Sequence, residues 1–247
     1  MEIFNIRDLY AYGVRWELQD NSVNHIVEPK VEAVASAEKP VAVPSAAPVN
    51  PNTEATAARG IAKVAATPSD LCTAISSFEN HPLKKFAKNV VPPKFASAPH
   101  ASGKKLAVVI DVLSIEDDAT GAALSGANGE MFDKMMTAAG FTRENISIIP
   151  LLFWRAPGGR SPTESELDIA RPFFDRALEL AEPDAIIAFG SASAAAFGAK
   201  ISKESGVFAD FQGVTVVPMF GFDYMVMKPE SKRITWESLQ KLLKSWE

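Results

Sequence analysis

From residue 106 onward the chain carries four short apolar runs: Leu106 to Leu113, Ile146 to Phe153, Ala185 to Phe189 and Val214 to Met219. Each is rich in β-branched residues and lacks an in-and-out alternation, the pattern of a strand buried on both faces. Between and after them, apolar positions recur at helical spacing over Asn128 to Ala139, Thr163 to Ala181, Ser191 to Phe197 and Ile234 to Trp246. Strand and helix alternate, which predicts a parallel sheet. Thr163 with Glu166 has the spacing of a capping box, and Gly140 stands where a left-handed C-terminal cap belongs. Pro172, in the middle of the longest helical pattern, is expected to kink or split it.

The pattern changes toward the N-terminus. Pro68-Ser69-Asp70 is a helix start for Leu71 to Phe78, with Leu71, Ile75 and Phe78 on one face. Residues 27–67 are dominated by Ala, Pro, Val, Glu and Ser, and Pro29, Pro40, Pro44, Pro48 and Pro51 interrupt any regular element. This stretch reads as a flexible linker. Within residues 1–26, Phe4 to Leu18 spaces Ile6, Leu9, Tyr10, Tyr12, Val14 and Trp16 as a short helix needing something to pack on. The organisation expected is therefore an N-terminal helical segment (1–26), a linker (27–67) and a folded domain (68–247).

Composition narrows the function classes. The chain has 247 residues, 47% hydrophobic, enough for a core. No apolar run approaches the roughly 20 residues that span a bilayer, and the first residues show neither a basic n-region nor an apolar h-region. A soluble, cytoplasmic protein without membrane partners is expected. Cys72 is the single cysteine, so no internal disulfide forms and no metal or cluster is held by cysteines alone. The net charge is -5, so only a local basic patch would favour DNA.

Local strings carry a resemblance. Phe153-Trp154-Arg155-Ala156-Pro157-Gly158-Gly159-Arg160-Ser161-Pro162-Thr163-Glu164-Ser165-Glu166, followed by Ala170-Arg171-Pro172-Phe173, resembles, from Arg155 on, the R-P-P-G-N-R-x-P-T-x-x-E and C-R-P-F strings of the family 4, iron-sulfur type uracil-DNA glycosylases of bacteria. Asp117-Asp118-Ala119-Thr120-Gly121, Gly126-Ala127-Asn128-Gly129 and Phe132-Asp133-Lys134-Met135-Met136 fall in register with further family strings, as do Ala188-Phe189-Gly190 and Pro229 to Trp236. The resemblance spans about residues 69–247. It implies an α/β fold, a three-layer α/β/α sandwich with a central four-stranded parallel sheet.

The sequence departs from the family where the chemistry lies. Uracil excision needs a flipped base in a tight pocket, a positioned water and donors for the charge that develops on the base. At the family's G-E-A-P-G water site this chain reads Ile110-Asp111-Val112-Leu113-Ser114. Asp111 is then either a polar residue ending a strand, the commoner role for an acid, or the site acid. Ala123-Leu124 match the family's proline and the aromatic that stacks on uracil, so Leu124 keeps apolar contact with less stacking. Pro150 replaces the base-reading Asn and offers neither a side-chain donor nor a backbone N–H. Gly221 replaces the motif His, with Asp223 two residues on. Leu113, Ser114, Leu124, Pro150 and Gly221 are thus the candidate pocket lining, and Asp111 and Asp223 the candidate catalytic acids if the protein is active. The four cluster cysteines correspond to Phe78, His81, Trp154 and Ala170, so no metal and no cofactor are expected.

Among retained positions, Arg155 and Arg160 on a Gly-containing loop, with Lys84 and Lys85, are candidate DNA phosphate contacts. Internal ion pairs and solvated lysines are the competing account. Two functions remain open: a glycosylase-like protein without catalysis, serving as a binding or scaffolding module for a protein partner held through the N-terminal helix and for DNA, or an active uracil-DNA glycosylase with a rebuilt site.

Overall fold

The computed structural model describes residues 51–246, so the expected N-terminal helical segment and the linker up to residue 50 lie outside the described residues. The strands are β1 (Leu106–Ile110), β2 (Ile146–Pro150), β3 (Ala185–Phe189), β4 (Ala209–Phe211) and β5 (Val214–Met219). The helices are α1 (Pro51–Val64), α2 (Pro68–Ser77), α3 (Ile115–Thr120), α4 (Gly126–Ala138), α5 (Glu164–Ala181), α6 (Ser191–Ala196), α7 (Phe222–Met227) and α8 (Glu230–Lys244).

The sheet order is β2-β1-β3-β5-β4. The four strands expected from the apolar runs pair in parallel, and β4 adds a fifth, antiparallel edge strand. Three residues are too few to show a pattern in the sequence, and the turn that joins β4 to β5 is Gln212-Gly213. Both residues have positive φ, as a two-residue hairpin with the right twist requires.

Every residue of β1, β2 and β3 is buried. Because successive side chains alternate across a strand, the sheet feeds two cores. Ala107, Val109, Ile149, Ile186, Ala188 and Val216 join one with Leu71, Ile75, Phe78, Phe173 and Phe174 from α2, the turn after it and α5. On the opposite face Phe132 of α4, Phe189 of β3 and Phe222 of α7 form a ring cluster, with centroids 4.7 to 6.4 Å apart. This is the α/β/α sandwich.

Two expectations need correction. Residues 51–64, read as linker, form α1. Pro51 sits at the first helical position, where its missing N–H costs nothing, and Ala58, Ala62 and Ala65 are buried in the core shared with α5. Arg176 of α5 ties down the end of this segment by donating to the Ala65 carbonyl at 3.0 Å. The alanines that suggested a linker are the small residues that let two helices approach closely. Pro172 does not split α5, which runs as one helix from its capping box at Thr163 and Glu166, its buried face holding it to the sheet.

Candidate functional site

In open parallel sheets ligands bind beyond the carboxyl ends of the strands. Here that edge begins with Asp111, directly after β1. One carboxylate oxygen accepts the Ala192 backbone N–H at 3.1 Å. Ala192 lies in the first turn of α6, whose own N-cap, Gly190, has no side chain to offer. Asp111, distant in sequence, therefore supplies the cap. Gly190 has φ of 95°, and a Cβ there would overlap the Asp111 carboxylate, so glycine is required twice over. Burial pushes the Asp111 carboxyl up, and the charge of Asp223 adds to this, while backbone N–H groups of Ala192, Asp111 and Val112 hold it down.

Asp223 is exposed near the start of α7, and Asn128 of α4 donates to it at 3.5 Å. The two acids thus face the same region, but only Asp111 lines the crevice at this edge. That crevice has a volume of about 10 Å³ and is bounded by Asp111, Val112, Leu113, Leu152, Trp154, Ala156, Arg160 and Pro162. Such a space holds about one water, whereas a small-molecule site takes roughly 300 Å³ or more.

Of the five residues expected to line a pocket, Leu113 lies on this crevice. Ser114 caps α3, accepting from the Asp117 N–H at 3.0 Å. Leu124 is buried with a left-handed φ of 57°. Arg143 pins it there by donating to the Leu124 carbonyl at 2.5 Å while holding Asp133 at 2.6 Å. Pro150 is the buried last residue of β2, in register with Ile110. Gly221 is the N-cap of α7, and a Cβ there would meet the Gly190 backbone at an ordinary 3.6 Å. A Cβ is therefore tolerated at that position.

The candidate phosphate contacts divide. Arg160 pairs with the buried Glu166 through both terminal nitrogens, at 2.5 and 2.8 Å, and also donates to the Ser161 carbonyl. Burial pushes the Glu166 carboxyl up, but Arg160 and Thr163 outweigh it and leave it below the usual carboxylate range. Lys84 donates to Glu79 at 2.7 Å and to the Ser76 carbonyl at 2.8 Å. Arg155 is half-buried and its Nε is without a hydrogen-bond partner. Lys85 is exposed at the end of a 3-10 turn, Pro82–Lys85.

The retained acids of the Asp-Asp string serve the scaffold. Asp117 is buried and accepts the Ser114 and Ser125 backbone N–H groups at 2.8 and 2.6 Å. Asp118 accepts those of Lys88 and Asn89 at 2.8 and 3.0 Å. Sequence reasoning did not single out Arg143, Asn128 or Gly190 as contributors to this edge. Arg143 acts through backbone carbonyls in another segment, which leaves no local signal.

The four positions of the cluster cysteines do converge. Phe78, His81, Trp154 and Ala170 are all buried, and the His81 and Trp154 rings stack at 4.3 Å and 16°. Nδ1 of His81 accepts the Leu83 N–H at 3.2 Å, so its Nε2 carries the proton donated to the Glu166 carbonyl at 3.1 Å. Neither nitrogen is left for a metal, and the other three side chains offer no ligand. These residues do not fit an iron-sulfur cluster.

Comparison with known proteins agrees with the architecture. The chain is 30% identical over 133 residues to a type-4 uracil-DNA glycosylase of Thermotoga maritima, covering 51% of this chain and 69% of that protein. It is 26% identical over 141 residues to a type-4 uracil-DNA glycosylase of Pyrobaculum aerophilum, covering 56% and 68%. The family model of the uracil DNA glycosylase superfamily matches residues 113–243, the stretch from just beyond β1 into α8, and the chain belongs to that superfamily.

Proposed function

We propose that this chain is a non-catalytic member of the superfamily that acts as a binding or scaffolding module for a protein partner, with DNA as a second ligand. The observation that carries this reading is the narrow strand edge: the crevice that Asp111 lines has space for about one water, too little for a base. The groups that would read and polarise the base are replaced by Pro150 and Gly221. Losing one preorganised donor to a developing oxyanion costs about 10²–10³ in rate, so losing two amounts to roughly 10⁴–10⁶. The partner contact is assigned to the apolar face of the Phe4 to Leu18 pattern, a peptide-in-groove mode. Among the described residues no helix is long and apolar enough to cross a membrane.

A second reading keeps the enzyme. Asp111 has a carboxyl raised by burial, lies on a crevice the size of one water, and feels the charge of Asp223. An acid so placed suits a rebuilt hydrolytic site. One assay decides between the two. Purified protein is incubated with single- and double-stranded DNA carrying one uracil, and abasic sites are then cleaved with alkali. The non-catalytic reading expects no product above that of the Asp111→Ala, Asp223→Ala double variant; product well above it establishes the enzyme. A salt-dependent gel shift weakened by Arg155→Ala supports DNA contact, and no shift at low salt removes it.

A further inference from the structure

The former cluster position and the closed strand edge share one side chain. Trp154 stacks on His81, packs against Phe78 at 6.2 Å and against Phe153 at 5.9 Å, and also lines the crevice beside Asp111. Phe78 in turn meets Phe173 of α5 edge-on at 5.2 Å, and Ala170, one turn earlier on α5, belongs to the same buried cluster.

Four cysteines on one cluster would cross-link three segments: the turn after α2, the loop after β2, and α5. The aromatic stack joins the same three. His81 adds the hydrogen bond to the Glu166 carbonyl at the start of α5. The indole Nε1 of Trp154 is buried without a partner. A polar atom so placed costs stability, so it is the ring's volume that holds it there.

We propose that Trp154, with Phe78 and His81, forms a metal-free clamp that replaces the cluster's cross-link, and that the same indole seals the strand edge beside Asp111. Loss of the metal and loss of the base pocket are then one packing change. The clamp stands independently of whether the protein has a catalytic activity.

The test uses the full chain purified from iron-supplemented cells. Iron and acid-labile sulfide are measured, and thermal melts are recorded with and without a chelator. Stoichiometric iron, or a melting temperature lowered by the chelator, overturns the proposal; their absence is the expected result. Trp154→Ala removes a fully buried ring and is expected to lower the melting temperature by roughly 10 °C, with partial recovery on adding indole that the unsubstituted protein does not show. His81→Phe keeps a stacked ring but strands the Leu83 N–H and the Glu166 carbonyl, and is expected to melt below the unsubstituted protein and above Trp154→Ala. A Trp154→Ala variant that melts unchanged, or gains nothing from indole, overturns the clamp. Should it not fold, Trp154→Phe supplies the reading: a drop of a few degrees supports the clamp and an unchanged melt overturns it. The seal has its own readout in the carboxyl carbon resonance of Asp111, followed against pH. Water admitted in Trp154→Ala, or in Trp154→Phe, returns that carboxyl toward its ordinary range; no movement leaves the clamp standing and removes the seal.

Discussion

Acidification from neutral pH should weaken the fold through His81, and the size of the effect follows from its surroundings. The ring is 1% exposed, lies on Trp154 and is neutral by its hydrogen bonds. Burial lowers its pKa from 6.5 to about 4, against the opposing pull of the Glu166 carbonyl and the Glu166 charge. Above the unfolded value both states are neutral and the contribution is complete. As pH falls below it, the unfolded chain takes up a proton that the folded protein refuses, so stability drops by about 1.4 kcal/mol per pH unit. Near pH 4 the accumulated loss is about 3 kcal/mol. Other groups act in the same range. Asp111 works in the opposite sense, because its raised carboxyl accepts a proton more readily when folded and its folding cost is relieved as pH falls. Glu166 works in the same sense as His81, but lower, because its carboxyl is depressed. His81→Phe keeps the stack and removes the titration, so subtraction isolates His81. Urea unfolding of both proteins, followed by tryptophan fluorescence from neutral pH to about 4, should show the native protein losing about 3 kcal/mol relative to the variant. Parallel profiles for the two proteins would refute the argument.

Two substitutions test the scaffold at the strand edge. Gly190→Ala combines left-handed strain with overlap of the Asp111 carboxylate and should cost about 2–5 kcal/mol in chemical denaturation; Asp111→Ala, which loses the α6 cap, should cost about 0.5–2. Because the second change removes the overlap, the double variant should be more stable than the sum of the two predicts, and strict additivity would deny the contact. Arg160→Ala strands the buried Glu166 carboxylate. Its guanidinium is 43% exposed, so the loss is discounted to about 1–2 kcal/mol, and acid unfolding should begin at higher pH; an unchanged acid limb would show that the pair is idle.

The strands were legible because both faces of the sheet are covered, which turns Leu106–Ile110, Ile146–Pro150 and Ala185–Phe189 into unbroken apolar runs. The α5 start was legible for a different reason: Thr163 and Glu166 satisfy each other's backbone groups at short range, and such caps are written locally. Elements whose reason for existing lies elsewhere in the chain were hidden. α1 is helical because its alanines meet α5, and its composition alone reads as linker. The left-handed conformation of Leu124 is held by Arg143, whose role no neighbouring residue announces. The Glu166 partner of Arg160 is only six residues away, yet that arginine also read as a candidate phosphate contact, since a guanidinium serves either carboxylate or phosphate.

Which side chains survive in this chain follows from what they bond. Asp111 caps α6, Asp117 and Asp118 accept backbone N–H groups from four residues, and Glu166 accepts from Thr163 and Arg160. Each would leave buried or half-buried donors unsatisfied if lost, at about 1–3 kcal/mol per group. The altered positions are of another kind. A Cβ at Gly221 would meet its neighbours at ordinary contact distance, and Pro150 carries no amide. Residues that hold a ligand bond little within the protein when the ligand is gone, so folding does not defend them. The retained acid at the strand edge is accounted for by the α6 cap whether or not it also meets a substrate. That separation, with structural bonds kept and the base-reading groups replaced, is the pattern the proposed non-catalytic reading expects, and the uracil-DNA assay is what decides it against a site rebuilt around Asp111 and Asp223.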